Sequence, residues 1–413
     1  MHGEPVRFPS REAAAVSFDE NPSFAVRTRG GARIAGDSGA PTFSIRVPDR
    51  AAWTLLQKSN TYEAASAFVR GDFEIDGDIV AALRWWYARP TSAATSLVLR
   101  TLRHLHLESW LQSRARARSN IQFHYDRSND FYEQFLDERL QYSCAYFTNP
   151  GASLDDAQAA KLDLICRKLG IRRGMRFLDI GCGWGGLVLH AADCYGAIAT
   201  GCTLSNGQFT RATAQARERG LQSRVTILNA DYRELDGRFD RIASVGMYEH
   251  VGRRRLDTYF ARLSRLLEDD GLALNHGIAR PESVTDDDMT LFLRDHVFPG
   301  GELPYYSDVV RSAERAGLEV IDVENLRPHY ALTCAEWVRR LQARREACLT
   351  FVDEQTYRTW LLYLAGSAVS FERGETELYQ TLLAKRIPGA PRRLTREQLV
   401  LKRPSASSGA TAE

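Results

Sequence analysis

The segment Phe177-Leu-Asp-Ile-Gly-Cys-Gly-Trp-Gly-Gly186 carries the residues best suited to grip a ligand. Gly181, Gly183 and Gly185 are spaced GxGxG where a strand should end and a helix begin, a turn at which missing side chains let the backbone approach a bound molecule. Asp179 stands just before them. Dinucleotide enzymes, phosphate binders and plain tight turns share such glycines, so they do not by themselves choose a ligand. Two more clusters fall at the expected ends of later strands: Thr203-Leu204-Ser205 with Gln208, and Asp231-Tyr232-Arg233. Their polar side chains suit a ribose and a base edge, while Leu204 and Tyr232 suit the faces of the base. Ser205 and Asp231 are equally good helix N-caps.

With Asp179 ahead of it, and read as lacking the full GxGxxG spacing, the glycine turn resembles the S-adenosylmethionine loop, whose ligand has a carboxylate and a sulfonium but no pyrophosphate. A nicotinamide cofactor and a purely structural turn are the alternatives. The elements that must position this loop are legible as alternating patterns from about residue 160. Apolar runs Arg176–Ile180, Ala197–Thr203, Val225–Asn229, Arg241–Val245 and Gly271–Asn275 are interleaved with helix-like segments, which predicts a doubly wound parallel α/β sheet. Two further β-like runs, Leu318–Val323 and Glu377–Ala384, bracket a helical region from about Cys334 to Phe371. Residues 1–113 read as a smaller α+β domain, with β-like runs Phe24–Thr28 and Thr42–Val47 and helical patterns Ala51–Leu56, Tyr62–Val69 and Ile79–Tyr87. The catalytic domain is expected over 114–386, and 387–413 has the composition of a disordered tail.

Composition narrows the class. The 54 basic and 52 acidic residues leave a net charge of +2, which excludes global attraction to nucleic acid. The seven cysteines are scattered without a CxxC pair, as expected of reduced thiols in a cytoplasm. No apolar run approaches the roughly 20 residues that cross a bilayer, and MHGEPVRFPSREAAAV lacks the apolar stretch of a signal peptide. Between Arg100 and Arg118, arginines and histidines surround Leu102, Leu105, Leu107, Trp110 and Leu111. That pattern suits a basic linker helix, either solvated or laid against anionic lipid headgroups.

Several blocks resemble the cyclopropane-fatty-acyl-phospholipid synthases and mycolic acid cyclopropane synthases: FHYDRSNDFYEQFLDERLQYSCAYF (123–147), FLDIGCGWGGL (177–187), TGCTLSNGQ (200–208), MYEHVG (247–252), FPGGELP (298–304), RPHYALTCAEW (327–337) and LAGSAVSFERGETELYQ (364–380). GDFEIDGD (71–78) resembles the extra domain of the long bacterial synthases, thought to help lipid binding and dimer formation. The resemblance implies a Rossmann-like class I S-adenosylmethionine methyltransferase that acts on unsaturated phospholipid acyl chains. It implies a peripheral enzyme at the inner membrane surface and a homodimer. It assigns Tyr142, Ser143, the loop residues Phe177, Asp179, Gly181, Gly183, Trp184 and Gly185, then Thr203, Leu204, Gln208, Tyr232 and Arg233 to the cofactor. It also implies a bicarbonate ion held by Glu249, His276 and Tyr330 with main chain near Cys144 and Val245.

Methylating an alkene builds positive charge on the acyl chain, so the site must tolerate a carbocation. Tyr125, Tyr146, Phe147 and Phe298 are candidates for an aromatic wall. Ring closure then needs a base for a proton of the new methyl group, a role for bicarbonate. Glu249 and His276 end the fourth and fifth strands and should converge on the cofactor face; His250 reads as structural. Where the family usually carries a cysteine in its LAGC-like segment, this chain has Ser367, expected to position rather than to react. The alternatives are methylation without ring closure, a small-molecule methyltransferase, and a non-catalytic binding protein.

Overall fold

The computed structural model describes residues 22–89, 129–297 and 302–389. The basic stretch Arg100–Arg118, the boundary at 113, Tyr125, Phe298 and the tail beyond 389 lie outside the described residues.

The first described unit pairs β1 (Phe24–Thr28), β2 (Arg33–Gly36), β3 (Phe43–Val47) and β4 (Glu74–Gly77) in the order β2-β1-β3-β4, with α1 (Arg50–Lys58), α2 (Thr61–Arg70) and α3 (Ile79–Ala88) packed with them. The segment GDFEIDGD does structural work in it: Gly71 closes α2, Glu74–Gly77 is one of the two edge strands, and Asp78 caps α3 by accepting from Val80 and Ala81 N–H.

Next come α4 (Asn129–Glu133), α5 (Leu154–Leu169), β5 (Arg176–Ile180), α6 (Gly186–Tyr195), β6 (Ile198–Thr203), α7 (Asn206–Glu218), β7 (Val225–Asn229), β8 (Phe239–Val245), α8 (Leu256–Leu266) and β9 (Leu267–Ala279). After them run α9 (Asp288–His296), α10 (Tyr306–Arg315), β10 (Leu318–Asn325), α11 (Arg327–Ala343), the short α12 (Arg345–Cys348), α13 (Glu354–Arg373) and β11 (Glu377–Lys385). The large sheet has the order β10-β11-β9-β8-β5-β6-β7, parallel except that β11 runs against both neighbours. This is the doubly wound α/β sheet expected.

Alternation along β5 explains the two covered faces. Phe177 packs with Leu162 and Ile165 of α5 and Val188 of α6, whereas Leu178 and Ile180 pack with Tyr259, Phe260 and Leu263 of α8. Strand β9 is longer than the expected Gly271–Asn275, because antiparallel pairing with β11 carries it through Ala279.

The smaller unit shares one apolar core with α13: Phe43, Phe68 and Leu83 cluster with Trp360, Leu361 and Ala365. A two-pronged ion pair ties the junction, Arg84 Nε and Nη2 each 2.7 Å from an oxygen of Glu372, whose side chain is only 5% exposed. Arg84→Ala leaves that carboxylate without its partner. It is expected to lower stability by about 3 kcal/mol, read as a lower denaturant midpoint and faster proteolysis at the junction.

Candidate active site

Strand β5 lies between β6 and β8, where the chain's winding reverses, so the crevice at its carboxyl end is the natural ligand site. A solvent-open cleft of about 930 Å³ lies there. Its lining includes Tyr142, Ser143, Asp179, Gly181, Gly183, Trp184, Thr203, Leu204, Gln208 and Tyr232 of the expected cofactor set. Phe177, Gly185 and Arg233 do not line it. Phe177 belongs to the core under α5 and α6, since alternation along β5 points it into that layer. Gly185 forms the cap that starts α6. Arg233 folds back onto Asp231, with Nε 2.8 Å from Oδ1, and Asp231 also caps the turn 232–234. His250, expected to be structural, does line the cleft, and burial drops it to about 4, which keeps it neutral.

The glycine turn requires glycine at Gly181, where φ is +81° and a Cβ would sit 2.9 Å from Met247 Cγ. The expected absence of the full GxGxxG spacing is corrected here: Gly181, Gly183 and Gly186 satisfy it, so spacing does not separate the two cofactors. A Cβ on Gly186 would lie 2.2 Å from Gln141 Nε2 and 2.9 Å from Arg139 O, so the strip 139–141 packs closely on the start of α6. Strand β6 ends on Thr203, which bonds Gln208 Oε1 at 2.7 Å, and not on the carboxylate that holds a nicotinamide ribose. Asp179 is 2% exposed with Oδ1 unpartnered, and burial pushes it up to about 7 against the pull of Lys161. A cationic ligand group suits that carboxyl.

Two residues of this site escaped the sequence reading. Lys161 is fully buried on α5, donating to Gln141 Oε1 (2.7 Å) and Ser143 Oγ (3.0 Å). Gln158, one turn earlier, donates to Ser143 O at 2.8 Å. Together they hold the 141–143 strip against the cleft. An amphipathic helix gives no cue for a lysine on its buried face; only the pairing of Gln158 and Lys161 at i, i+3 could have flagged it.

Beyond the cofactor cleft, Glu249 Oε1 accepts from Ile278 N–H at 2.8 Å while Oε2 is buried without a partner, and burial pushes the carboxyl up to about 7. His276 faces Val245 in the pairing of β8 with β9; it is 1% exposed, and its Nε2 has no partner. Burial and the charges of Lys161 and Lys168 drive it far down, so it is neutral. Tyr330 stacks on Phe371 (4.5 Å between centroids), and burial pushes its hydroxyl far up, with Cys144 and Glu249 near enough to raise it further. Cys144 is fully buried, its Sγ donating to Ala145 O at 3.2 Å, with the thiol pushed far up by burial. These four groups are brought into one neighbourhood. Ser367 sits half-buried on α13, four residues from both Tyr363 and Phe371, and so on their face of the helix. Tyr363 bonds Tyr142 OH at 3.2 Å.

Of the expected aromatic wall, Tyr125 and Phe298 lie outside the described residues. Tyr146 stacks on His329 (4.7 Å), and the Phe147 backbone N–H donates to His329 Nδ1. Tyr142 joins a ring cluster with Tyr132, Trp337 and Trp360, and Tyr132 lies 5.1 Å from Trp184. These rings come from four separate segments, which no local periodicity reveals.

Residues 112–381 match the family model of mycolic acid cyclopropane synthetase. A probable fatty acid methyltransferase of Pseudomonas putida is 39% identical over 354 residues, 84% of this chain and 88% of the relative. The cyclopropane-fatty-acyl-phospholipid synthase of Escherichia coli K12 is 39% identical over 275 residues, 67% of this chain and 70% of the relative. Among solved structures, the mycolic acid cyclopropane synthase CmaA1 complexed with SAH and CTAB superposes with a TM-score of 0.62 at 35% identity, covering 65% of this chain and 98% of that one. The chain thus belongs to the mycolic acid cyclopropane synthetase family and is an S-adenosylmethionine-dependent methyltransferase.

Proposed function

We propose that this enzyme adds a one-carbon bridge across the cis double bond of unsaturated phospholipid acyl chains at a membrane surface, closing a cyclopropane ring. The observation that carries the reading is the pair of solvent-shielded, unpartnered atoms Glu249 Oε2 and His276 Nε2 beside the cofactor cleft. Such atoms are costly unless a ligand engages them. The phospholipid substrate follows the E. coli relative's name.

S-adenosylmethionine supplies the electrophilic methyl group. Asp179, the Gly181–Gly183 backbone, Thr203, Gln208, Tyr142 and Ser143 hold it in this reading. As the C–C bond forms, positive charge grows on the acyl chain, and the rings of Tyr330, Phe371, Tyr142 and Tyr363 offer faces that attract a cation without adding to it. Bicarbonate would supply the base that takes the proton from the new methyl group. Glu249, His276, Tyr330 and main chain near Cys144 and Val245 are the groups to hold it. The donors fit an anion: Tyr330 carries a hydroxyl, and a Glu249 carboxyl near 7 is partly protonated at neutral pH. Among the described residues no helix is long and apolar enough to cross a membrane. We assign lipid contact to the basic stretch Arg100–Arg118, and cytoplasmic location and a homodimer remain parts of the same proposal.

The P. putida relative's name supports a second reading, methylation without ring closure. Both are tested by mass spectrometry of lipids from cells expressing the chain with carbon-labelled methionine methyl. A gain of CH2 with the double bond lost is expected. A gain with the double bond kept selects the second reading, and no gain with any unsaturated lipid overturns both. Ser367→Cys should change turnover by no more than about threefold, because the chemistry needs no enzyme nucleophile.

A further inference from the structure

The row of side chains behind His276 crosses the sheet. Glu324 pairs with Gln380 between β10 and β11, Gln380 with His276 between β11 and β9, and His276 with Val245 between β9 and β8. Directly opposed residues share a face, so these side chains stand side by side. Lys168, in the last turn of α5, reaches the row: its Nζ is ion-paired with Glu324 and lies 2.7 Å from Gln380 Oε1. Gln380 Nε2 lies 3.1 Å from His276 Nδ1. Lys168, Gln380 and His276 are each 2% exposed or less, so water cannot substitute for any of these partners.

Donor arithmetic then leaves one arrangement. An ammonium only donates, so the Gln380 carbonyl oxygen must face Lys168 and its NH2 must face His276. An amide NH2 only donates, so His276 Nδ1 must be the bare, accepting nitrogen. A neutral imidazole carries one proton, which therefore sits on Nε2, the atom with no partner.

We infer that Lys168 and Gln380 are positioning residues that lock His276 as its Nε2–H tautomer, so that it presents a hydrogen-bond donor to an oxyanion in the site. The donor's purpose rests on the anion site proposed above; the tautomer does not. The charge of Lys168 polarises the amide and strengthens its N–H toward Nδ1. With the tautomer set in advance, no proton needs to be rearranged when an anion arrives.

Gln380→Glu inverts the lock with almost no change in shape. The carboxylate accepts from Lys168 as before but also demands a proton from His276, giving Nδ1–H and a bare Nε2 that repels an oxyanion. The test is nitrogen-15 NMR of histidine-labelled full-length protein at pH 8, with the His276 signals identified by their loss in His276→Asn. The expected result is a pyridine-like Nδ1 and a pyrrole-like Nε2 in the wild type, exchanged in Gln380→Glu. Turnover of labelled methyl into unsaturated vesicles should fall about 10²-fold with KM for S-adenosylmethionine unchanged. Gln380→Met, which removes the donor without adding charge, should show both tautomers. A pyrrole-like Nδ1 in the wild type, or the same tautomer in all three proteins, overturns the inference. A wild type that is inactive toward every lipid yet shows the expected tautomer defeats the proposed function and leaves the lock standing.

Discussion

Glu249→Gln is expected to be nearly inactive and yet more stable than the wild type at pH 8. The two effects have one origin. Glu249 Oε2 is buried without a partner, and desolvation raises the carboxyl from an ordinary 4.5 to about 7. Its folded-state value lies above the unfolded one, so the native protein holds the proton longer. Stability is then lost as pH rises from about 4.5 to about 7 and stays reduced above that, by about 3 kcal/mol for a shift of this size. Gln keeps the acceptor for Ile278 N–H and carries no charge to desolvate. Its stability advantage should be absent near pH 4.5, grow through the window and level off above pH 7. Turnover should fall by about two to three orders of magnitude, the range for removing one preorganised group that holds a reacting ion in place. Denaturant unfolding at pH 5 and pH 8, set beside labelled-methyl incorporation, checks both halves. A variant destabilised at both pH values would show that the carboxylate is structural.

Lys161→Met should weaken S-adenosylmethionine binding roughly tenfold or more, the scale of losing a buried hydrogen-bonded cation. Lys161 holds Gln141 and Ser143, and Gln141 in turn abuts Gly186 at the start of α6. Met fills the volume without donating, so the strip loses its register over the cleft. The charge matters separately. Lys161 pulls Asp179 down from where burial alone would put it; without that pull Asp179 titrates above about 7 and meets a cationic ligand mostly as the neutral acid at pH 7. Burial has also lowered Lys161 itself to about 8, so the wild type loses this advantage as pH rises past that value. Calorimetric titration at pH 7 and pH 9 should therefore show the gap between variant and wild type narrowing at the higher pH. Equal affinity at pH 7 would remove Lys161 from the cofactor site.

Where sequence and structure part company, the reasons are specific. The glycine turn, Asp179 and the caps Ser205 and Asp231 were legible because each depends on its own few neighbours. The end of β9 was not, because Gly277 to Ala279 are held by pairing with Tyr379 to Glu377 on a strand far along the chain. Arg233 lies beside Tyr232 yet turns to Asp231, a choice made by a local ion pair that loop position does not disclose. Phe177 shares a motif with the cofactor loop but points into the core, since side chains alternate along a strand.

By itself the sequence determined the ligand loop, the alternation of strands and helices that places it, and the family blocks carrying Glu249, His276 and Tyr330. Those features are written in short windows, where spacing and residue type carry the physics. Only the tertiary structure decided which polar groups are buried together. Lys168 meets Gln380 across 212 positions and Gln380 meets His276 across 104. A hydrogen bond fixes direction and proton only once both partners are in place and water is excluded, and no pattern along the chain encodes that meeting.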